Sequence, residues 1–398
     1  MIYHATDHDI DAAQIDKDAI NIIQRLLDAG FSAYLVGGSV RDLLLKRVPK
    51  DYDISTSARP EQVKELFRRQ CILIGRRFRL AHIRYGHKIF EVSTFRAGEN
   101  EGDLIVQDNL WGTPEEDVLR RDFTINGLFY DPTSHSVIDY VGGWEDIHKK
   151  VLKSIGNPSI RFRQDPVRMI RLLRFSSRTG FAIDPDTKEA LLQLTQEILK
   201  SSPARILEEM LKMLESGHSS GFFREMLHAG ILKHLFPTLA TFLQSRHGKE
   251  VYQLLTAADA LMKKMPHDRK LTRAVLASAL LFPILEKEID FQFLRKNAVP
   301  NFGQVMDLSG HIIHGVLINA FSHFPRKLSS EIHYILSMQY RLTPLSGKRT
   351  HGPRLLRQAD FIHAVDFLHV RATASPVLSE PYEWWSHLVR GADHHKHR

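Results

Sequence analysis

The pattern of the chain changes character once, near residue 152. Before that point, short runs rich in branched and aromatic residues alternate with helical stretches. From about Asn157 onward every periodic segment is helical, broken by Gly180, Pro185, Pro203, Gly217, Pro237 and Pro300. A mixed head followed by an all-helical remainder predicts an α+β protein rather than alternating βαβ units. At 398 residues the chain has room for two or three cores. No internal repeat or low-complexity segment interrupts it.

Within the head, Ala33-Tyr34-Leu35-Val36 predicts a buried strand, and Gly37-Gly38 breaks it. Ser39-Val40-Arg41-Asp42 then has the spacing that caps a helix start. After a basic turn come Asp51-Tyr52-Asp53, the start of a second strand predicted to run to Thr56. Residues two apart on a strand share a face, so Asp51 and Asp53 are expected to aim two carboxylates at one spot. A glycine turn opening a helix suits phosphate. Paired carboxylates suit Mg2+, and two such ions about 4 Å apart can activate a hydroxyl and hold a leaving pyrophosphate. Together they point to nucleotidyl transfer. An isolated Asp-x-Asp is more often a solvated strand edge, and it is the preceding Gly-Gly turn that makes the pair a candidate. Glu91 and Asp122, at strand ends in the same head, are candidates for a third carboxylate.

Further along, a helix is predicted over Pro60–Phe67, and strands over Cys71–Ile74, Leu80–Tyr85, Ile89–Phe95 and Phe123–Tyr130. Residues 1–14 carry no periodicity and are expected to be loosely ordered. Residues 97–114 are polar and aperiodic, a loop placed where it could close over nucleotide. In Asp165-Pro-Val-Arg-Met-Ile-Arg-Leu-Leu-Arg-Phe, Asp165 can cap a helix beginning at Pro166. Arg168, Arg171, Arg174 and Arg178 follow at helical steps. All four are Arg and none is Lys, as planar, bidentate recognition of phosphate or a base edge favours. Capping and base reading are competing roles for Asp165.

The net charge of +8 and pI near 9.4 are compatible with a polyanionic partner and say nothing of fold. Arg76, Arg77 and Arg79, Arg120-Arg121, and Lys348-Arg349 near the far end outline a basic track for an RNA backbone. The single cysteine, Cys71, excludes an internal disulfide and a Cys-based zinc site, as expected for a reducing cytoplasm. The polar, acidic N-terminus is unlike a secretory signal. The longest apolar run, Ala274–Leu285, contains Pro283 and is too short to cross a bilayer, so it is expected to be a buried helix.

The motifs LVGGSVRD, DYD, RRDFTIN and DPVRMIRLLRF, in this order, resemble the class II tRNA nucleotidyltransferase and bacterial poly(A) polymerase family, over residues about 30–180. The resemblance implies a polymerase-β-like nucleotidyltransferase head over 1–156, a helical neck over 157–240 and a helical body and tail over 241–398. It implies template-independent addition of nucleotides to RNA 3′ ends. By position, Asp51 and Asp53 match the metal-binding pair and Asp122 the third catalytic acid. Gly38 and Arg41 match the triphosphate contacts. Arg121, Asp165, Arg168, Arg171 and Arg174 match the nucleotide-selecting positions, and Glu91 a supporting acid. Gln164 stands where the family usually has Glu. LIGRRFRLAHI, and the run from Gln339 to DFLHVRA, are similar to bacterial poly(A) polymerases rather than CCA-adding enzymes. The expected reaction is AMP transfer from ATP to an RNA 3′ end. CCA addition to tRNA from CTP and ATP is the alternative, and a non-catalytic RNA-binding protein the alternative of another class.

Overall fold

A computed structural model describes residues 1–75, 80–97, 110–266, 269–321, 324–345, 355–358 and 360–396. Arg76, Arg77, Arg79, Lys348 and Arg349 lie outside these residues, as does most of the 97–114 loop. The chain divides into two compact units, Met1–Arg168 with Gly180–Leu194, and Met169–Thr179 with Thr195–Arg398.

The first unit is built on one mixed sheet. Its strands are β1 (Ile2–Tyr3), β2 (Ala33–Val36), β3 (Asp53–Thr56), β4 (Cys71–Ile74), β5 (Leu80–Tyr85), β6 (Lys88–Thr94), β7 (Leu128–Asp131) and β8 (Ser136–Asp139), in the order β1-β8-β7-β2-β3-β6-β5-β4. Only β3 and β6 run parallel; the other pairs are antiparallel. Register and side-chain alternation separate the faces. Ala33, Leu35, Ile54, Cys71, Ala81, Ile83, Phe90 and Val92 are all buried on one face. Helices α1 (Lys17–Asp28) and α3 (Pro60–Phe67) pack on these strands, with Ile22, Ile23, Leu26, Val63 and Phe67 buried. Arg25 on α1 ties the two helices together by donating to the Leu66 carbonyl and stacking over the Phe67 ring. Asp53, Ser55 and Glu91 lie on the other face.

Several local expectations are corrected. Ser39 does not cap helix α2 (Gly38–Leu44): Gly37 is the N-cap residue, at φ +70°, and the Ser39 hydroxyl donates back to the Val36 carbonyl. Asp51 precedes strand β3 instead of sharing it with Asp53. Phe123–Tyr130 is not one strand. A 3-10 turn at Thr124–Asn126 comes first, because Asp122 and Asn126 turn inward into a polar network. The first residues are not loose, since β1 pairs with β8. Strand structure also continues beyond residue 152. Helices α4 (Pro114–Leu119) and α5 (Gly143–Lys149) lie either side of β7 and β8. After them come β9 (Val151–Leu152), α6 (Pro158–Gln164), α7 (Val167–Thr179) and β10 (Ala182–Ile183), which pairs in parallel with β9. Helix α8 (Pro185–Gln193) completes the unit. These two-residue strands are too short to show a period.

The second unit is helical. Pro203 and Pro237 occupy first helical turns, where a missing N–H costs nothing. The helix Arg273–Gln292 continues through Pro283, with Ala274–Pro283 buried, in agreement with the sequence. Near the end, Met338, Leu342, Phe361, Leu368 and Trp385 form one core cluster, and the Trp385 indole donates to the Leu342 carbonyl. No helix among the described residues is long and apolar enough to cross a membrane.

Helix α5 anchors the Thr124–Asn126 turn. The Asp139 carboxylate accepts the N–H groups of Val141, Gly142, Gly143 and Trp144, which folds the loop against the turn. The Thr124 hydroxyl donates to Asp146 at 2.6 Å. A Cβ on Gly143 would lie 2.1 Å from the Thr124 carbonyl oxygen, and both atoms belong to backbone that cannot swing aside. Gly143→Ala is expected to lower the unfolding free energy by about 1–3 kcal/mol, the usual cost of overpacking, as read by urea denaturation.

Candidate active site

The site is built around the end of β3 and the glycine turn beside it. Gly37 lies against β7, donating its N–H to the Leu128 carbonyl. A Cβ there would meet Arg121 Nη1 at 3.2 Å, so glycine serves both the positive φ and the close approach of the guanidinium. Arg121 Nη2 donates to Ser55 Oγ at 3.1 Å and to Asp117 Oδ2 at 2.9 Å, one helical turn earlier. Its guanidinium also stacks over Phe129. Arg121 thus stands on the open face of β3, one alternation from Asp53, with its direction fixed by three contacts.

Asp53 opens the strand directly beside Glu91 of β6 in the parallel register. The residue is exposed at the sheet's end, yet enough protein crowds its carboxyl to desolvate it. That burial raises its pKa first. Glu91 and Asp51 raise it further and Arg121 opposes them, leaving it pushed up to about 6. Excess negative charge at this spot is therefore already costly, which is the condition a divalent cation relieves. Among the described residues, no three acidic, His or Cys side chains converge on one point. Two carboxylates suffice for Mg2+, which completes its shell with water and substrate phosphate, and Asp51 lies near enough to Asp53 to help raise its pKa.

Beneath the turn lies a buried polar ladder. Arg41 is 2% exposed and donates to Asp42 through Nε and Nη2. Its Nη1 donates to Asn126 Oδ1 at 2.5 Å. Asn126 Nδ2 in turn donates to Asp122 Oδ1, which also accepts the Phe123 N–H. Asp122 and Arg41, singled out separately in the sequence, are thus joined through Asn126. A Cβ on Gly38 would lie 3.5 Å from Arg41 Nη2, so the ladder sits directly under the turn.

The segment 119–121 is held by its carbonyls. Arg161 Nη2 donates to the carbonyls of Leu119 and Arg121, and Arg168 Nη2 to that of Arg120. Gln164 accepts from Arg161 Nη1 at 3.2 Å, so the amide in this position orients the arginine that grips Arg121. Asp165 follows α6, its Oδ2 4.0 Å from Arg168 Nε. Burial and the neighbouring Arg96 and Arg168 cations hold the Arg120 guanidinium below its usual pKa.

Arg171 and Arg174 belong to the second unit. There both pair with the buried Glu209 of α9 (Pro203–Leu214), at 3.5 and 3.0 Å, and both stack on Phe175. Asn126, Asp117, Arg161 and Glu209 were not singled out in the sequence. Asp117 carried a usable signal, four residues before Arg121 on a helix. Glu209 carried none, because its partners lie more than thirty residues away.

The raised Asp53 pKa has a measurable consequence. The folded chain keeps a proton on this carboxyl up to about pH 6, whereas the unfolded chain releases it near the ordinary value of 3.8. Stability is therefore lost as pH rises through that interval. In chelator, Asp53→Asn is expected to be more stable than the parent above about pH 6 and equal to it near pH 4. The gap is about 1 kcal/mol, since solvent screening trims the effect for an accessible group. Chemical denaturation across this range reads it, and a variant less stable at neutral pH would contradict the assignment.

Three sequence profiles match the chain. They are described as "Poly A polymerase head domain" over residues 33–153, "Probable RNA and SrmB- binding site of polymerase A" over 180–243, and "Polymerase A arginine-rich C-terminus" over 318–398. Poly(A) polymerase I of Salmonella typhi is 35% identical over 407 residues, covering 97% of this chain and 85% of that protein. The CCA-adding enzyme of Lactobacillus helveticus is 40% identical over 211 residues, covering 52% of each. The solved structure of the Bacillus stearothermophilus CCA-adding enzyme in complex with CTP matches with a TM-score of 0.52 at 24% identity, covering 95% of this chain and 98% of that one. A structure of a CCA-adding enzyme with ATP matches at 0.62 and 18% identity, covering 98% of this chain and 86% of that one. At such identities these two structures speak for the fold alone, a sheet-bearing head followed by helices. The similarity to the CCA-adding relative stops at about half the chain, whereas that to the poly(A) polymerase runs nearly end to end: the chain belongs to the bacterial poly(A) polymerase family.

Proposed function

We propose that this protein adds AMP from ATP to RNA 3′ ends without a template, releasing pyrophosphate. The observation that carries the reading is the meeting of Asp53, Glu91 and Arg121 beside the Gly37-Gly38 turn, in a chain similar over nearly its whole length to proteins named poly(A) polymerase I.

The primer 3′-hydroxyl attacks the α-phosphate of ATP in line, and pyrophosphate leaves toward the glycine turn. Mg2+ ions held by Asp51 and Asp53 would supply charge neutralisation at the transferring phosphate and a more acidic attacking hydroxyl. Arg121, aimed by Asp117 and Ser55, presents a fixed cation to the triphosphate. Arg41 braces the Gly37–Gly38 turn from below, and Asp122 holds Asn126 so that Arg41 keeps its direction. Asp165 and Arg168 offer one acceptor and a set of donors to adenine. Arg171 and Arg174 are assigned to nucleotide selection by the motif DPVRMIRLLRF alone. The 1–156 head then carries the chemistry, the 157–240 neck the choice of nucleotide, and the 241–398 body and tail bind RNA. Both substrates are polyanions, in keeping with the net charge of +8. The expected setting is the cytoplasm.

The second reading, CCA addition, is favoured by the partial similarity to CCA-adding enzymes. Incubation with oligo(A) and ATP, and separately with CCA-less tRNA, CTP and ATP, separates the two. AMP incorporation on oligo(A) with no CTP use is expected. CTP incorporation would favour CCA addition, and no incorporation of either would favour a non-catalytic RNA-binding protein.

Asp51→Ala and Asp53→Ala are each expected to leave less than about a hundredth of the activity, since charge stabilisation at such a site is worth several kcal/mol. Both side chains are exposed, so the variants should fold. Retention of more activity in a folded variant would sink the assignment of this pair.

A further inference from the structure

The outer half of the head sheet has an open face that the reaction as described does not use. Strands β3, β6, β5 and β4 lie side by side, and β4 is the edge. Register places Asp53 beside Glu91, Glu91 beside His82 and His82 beside Ile72, one row across four strands on one face. The row begins at the proposed catalytic carboxylate and ends at the sheet's rim. His82 Nε2 and Glu91 Oε1 approach to 3.5 Å, which joins the row in its middle.

Flanking this row, the same face is apolar and basic. Ile72, Ile74 and Ile89 are 48%, 45% and 50% exposed. Alternation puts Ile74 two residues from Ile72, and Ile89 two from Glu91, so all three share the face. Arg84 pairs with Ile89 in the register and is exposed. No carboxylate among the described residues forms an ion pair with it. The opposite face of these strands is buried under α3, so the exposure is one-sided. A half-exposed isoleucine alone means little, but three on one face of an edge strand and its neighbours mark a surface that something covers.

We propose that this face carries the single-stranded 3′ segment of the RNA primer. Its bases would lie on Ile72, Ile74 and Ile89, its backbone would pair with Arg84, and its terminal nucleotide would reach Asp53 at the head of the row. Register continuity with the catalytic carboxylate selects this occupant, because the strand being extended must leave the site along some surface. Apolar ground beside a cation fits bases and phosphate without reading sequence, which suits a primer whose end is rebuilt at every addition. The inference rests on the site assignment made above.

The test uses the full chain, fluorescently labelled oligo(A) without ATP or Mg2+, and two variants. Ile72→Asp with Ile74→Asp puts two hydrated carboxylates where the bases would lie and adds negative charge near the RNA backbone, and binding measured by anisotropy is expected to weaken about tenfold or more. Arg84→Gln is expected to reduce the salt dependence by about one phosphate contact. The KM for ATP should change by less than about twofold in both, because the proposal places RNA, not ATP, on these residues. Oligo(A) affinity within about twofold of the parent in both folded variants overturns the proposal. So does a change in oligomeric state at unchanged RNA affinity, which would assign the face to a second copy of the chain. If the double variant does not fold, ultraviolet crosslinking of the parent to oligo(A) bearing 4-thiouridine near its 3′ end decides. Crosslinks within residues 71–75 or 80–93 are expected, and crosslinks confined to other residues overturn it. A parent that binds RNA on this face yet incorporates no AMP would instead sink the proposed activity.

Discussion

The hydrogen bond from Arg41 to Asn126 is the contact around which the head's glycine turn is built. It joins the helix after the glycine turn to the turn before β7, more than eighty residues apart in sequence. Both partners are buried, so neither has water to fall back on. Leaving one such group unsatisfied costs about 1–3 kcal/mol, and more when the group is charged. Arg41 is therefore held in one direction, with Asp42 on one side and the Asn126–Asp122 pair on the other. The glycine turn above takes its shape from this base, and Arg121, in the segment leading into Asp122, is set beside Gly37. Arg161 and Arg168 grip the same segment by its carbonyls. The ladder thus lies under the glycine turn, and the two arginines hold the backbone of the segment that carries Arg121.

Charge is arranged in the opposite sense above the network. The chain as a whole is basic, yet the end of β3 gathers Asp51, Asp53 and Glu91, and Asp53 resists ionisation. A basic protein draws polyanions toward it over long distances. A locally acidic strand end would then repel them unless a cation intervened. This conflict is the expected mark of a site evolved for chemistry on phosphate, where local stability is given up for function.

Much of this was legible in the sequence because it is local. The helix at Pro60–Phe67, and strands at Ala33–Val36, Cys71–Ile74 and Leu80–Tyr85, carry their own periodicity and punctuation. What escaped is non-local or too short to repeat. Ser39 has capping chemistry, but the left-handed Gly37 had already begun the helix. Phe123–Tyr130 looks like a strand because its apolar residues are dense, while the inward turn of Asn126 is decided by Arg41 far away. β1, β9 and β10 have two residues each and exist only through their partners. In the site, residue types showed which chemistry was possible, and motif order showed where. The hydrogen bonds that aim those residues, from Asn126, Asp117 and Arg161, needed the fold. So did Glu209, whose carboxylate lies between two arginines that sequence presents only as a basic helix face.

The partnership of β9 with β10 bears on how this protein is made. A ribosome releases the head's residues in order, and by residue 152 the main sheet has all its strands. The head is nevertheless unfinished. Arg161 and Arg168 have yet to grip the 119–121 carbonyls, and β10 has yet to pair with β9. The chain must first run out through most of α7, which belongs to the other unit, before returning with residues 180–194. The sheet-bearing unit is therefore completed late, by a segment that arrives after part of its neighbour has been synthesised. A fragment cut where the strand-rich sequence ends would carry the carboxylates without the clasp that holds Arg121 in place.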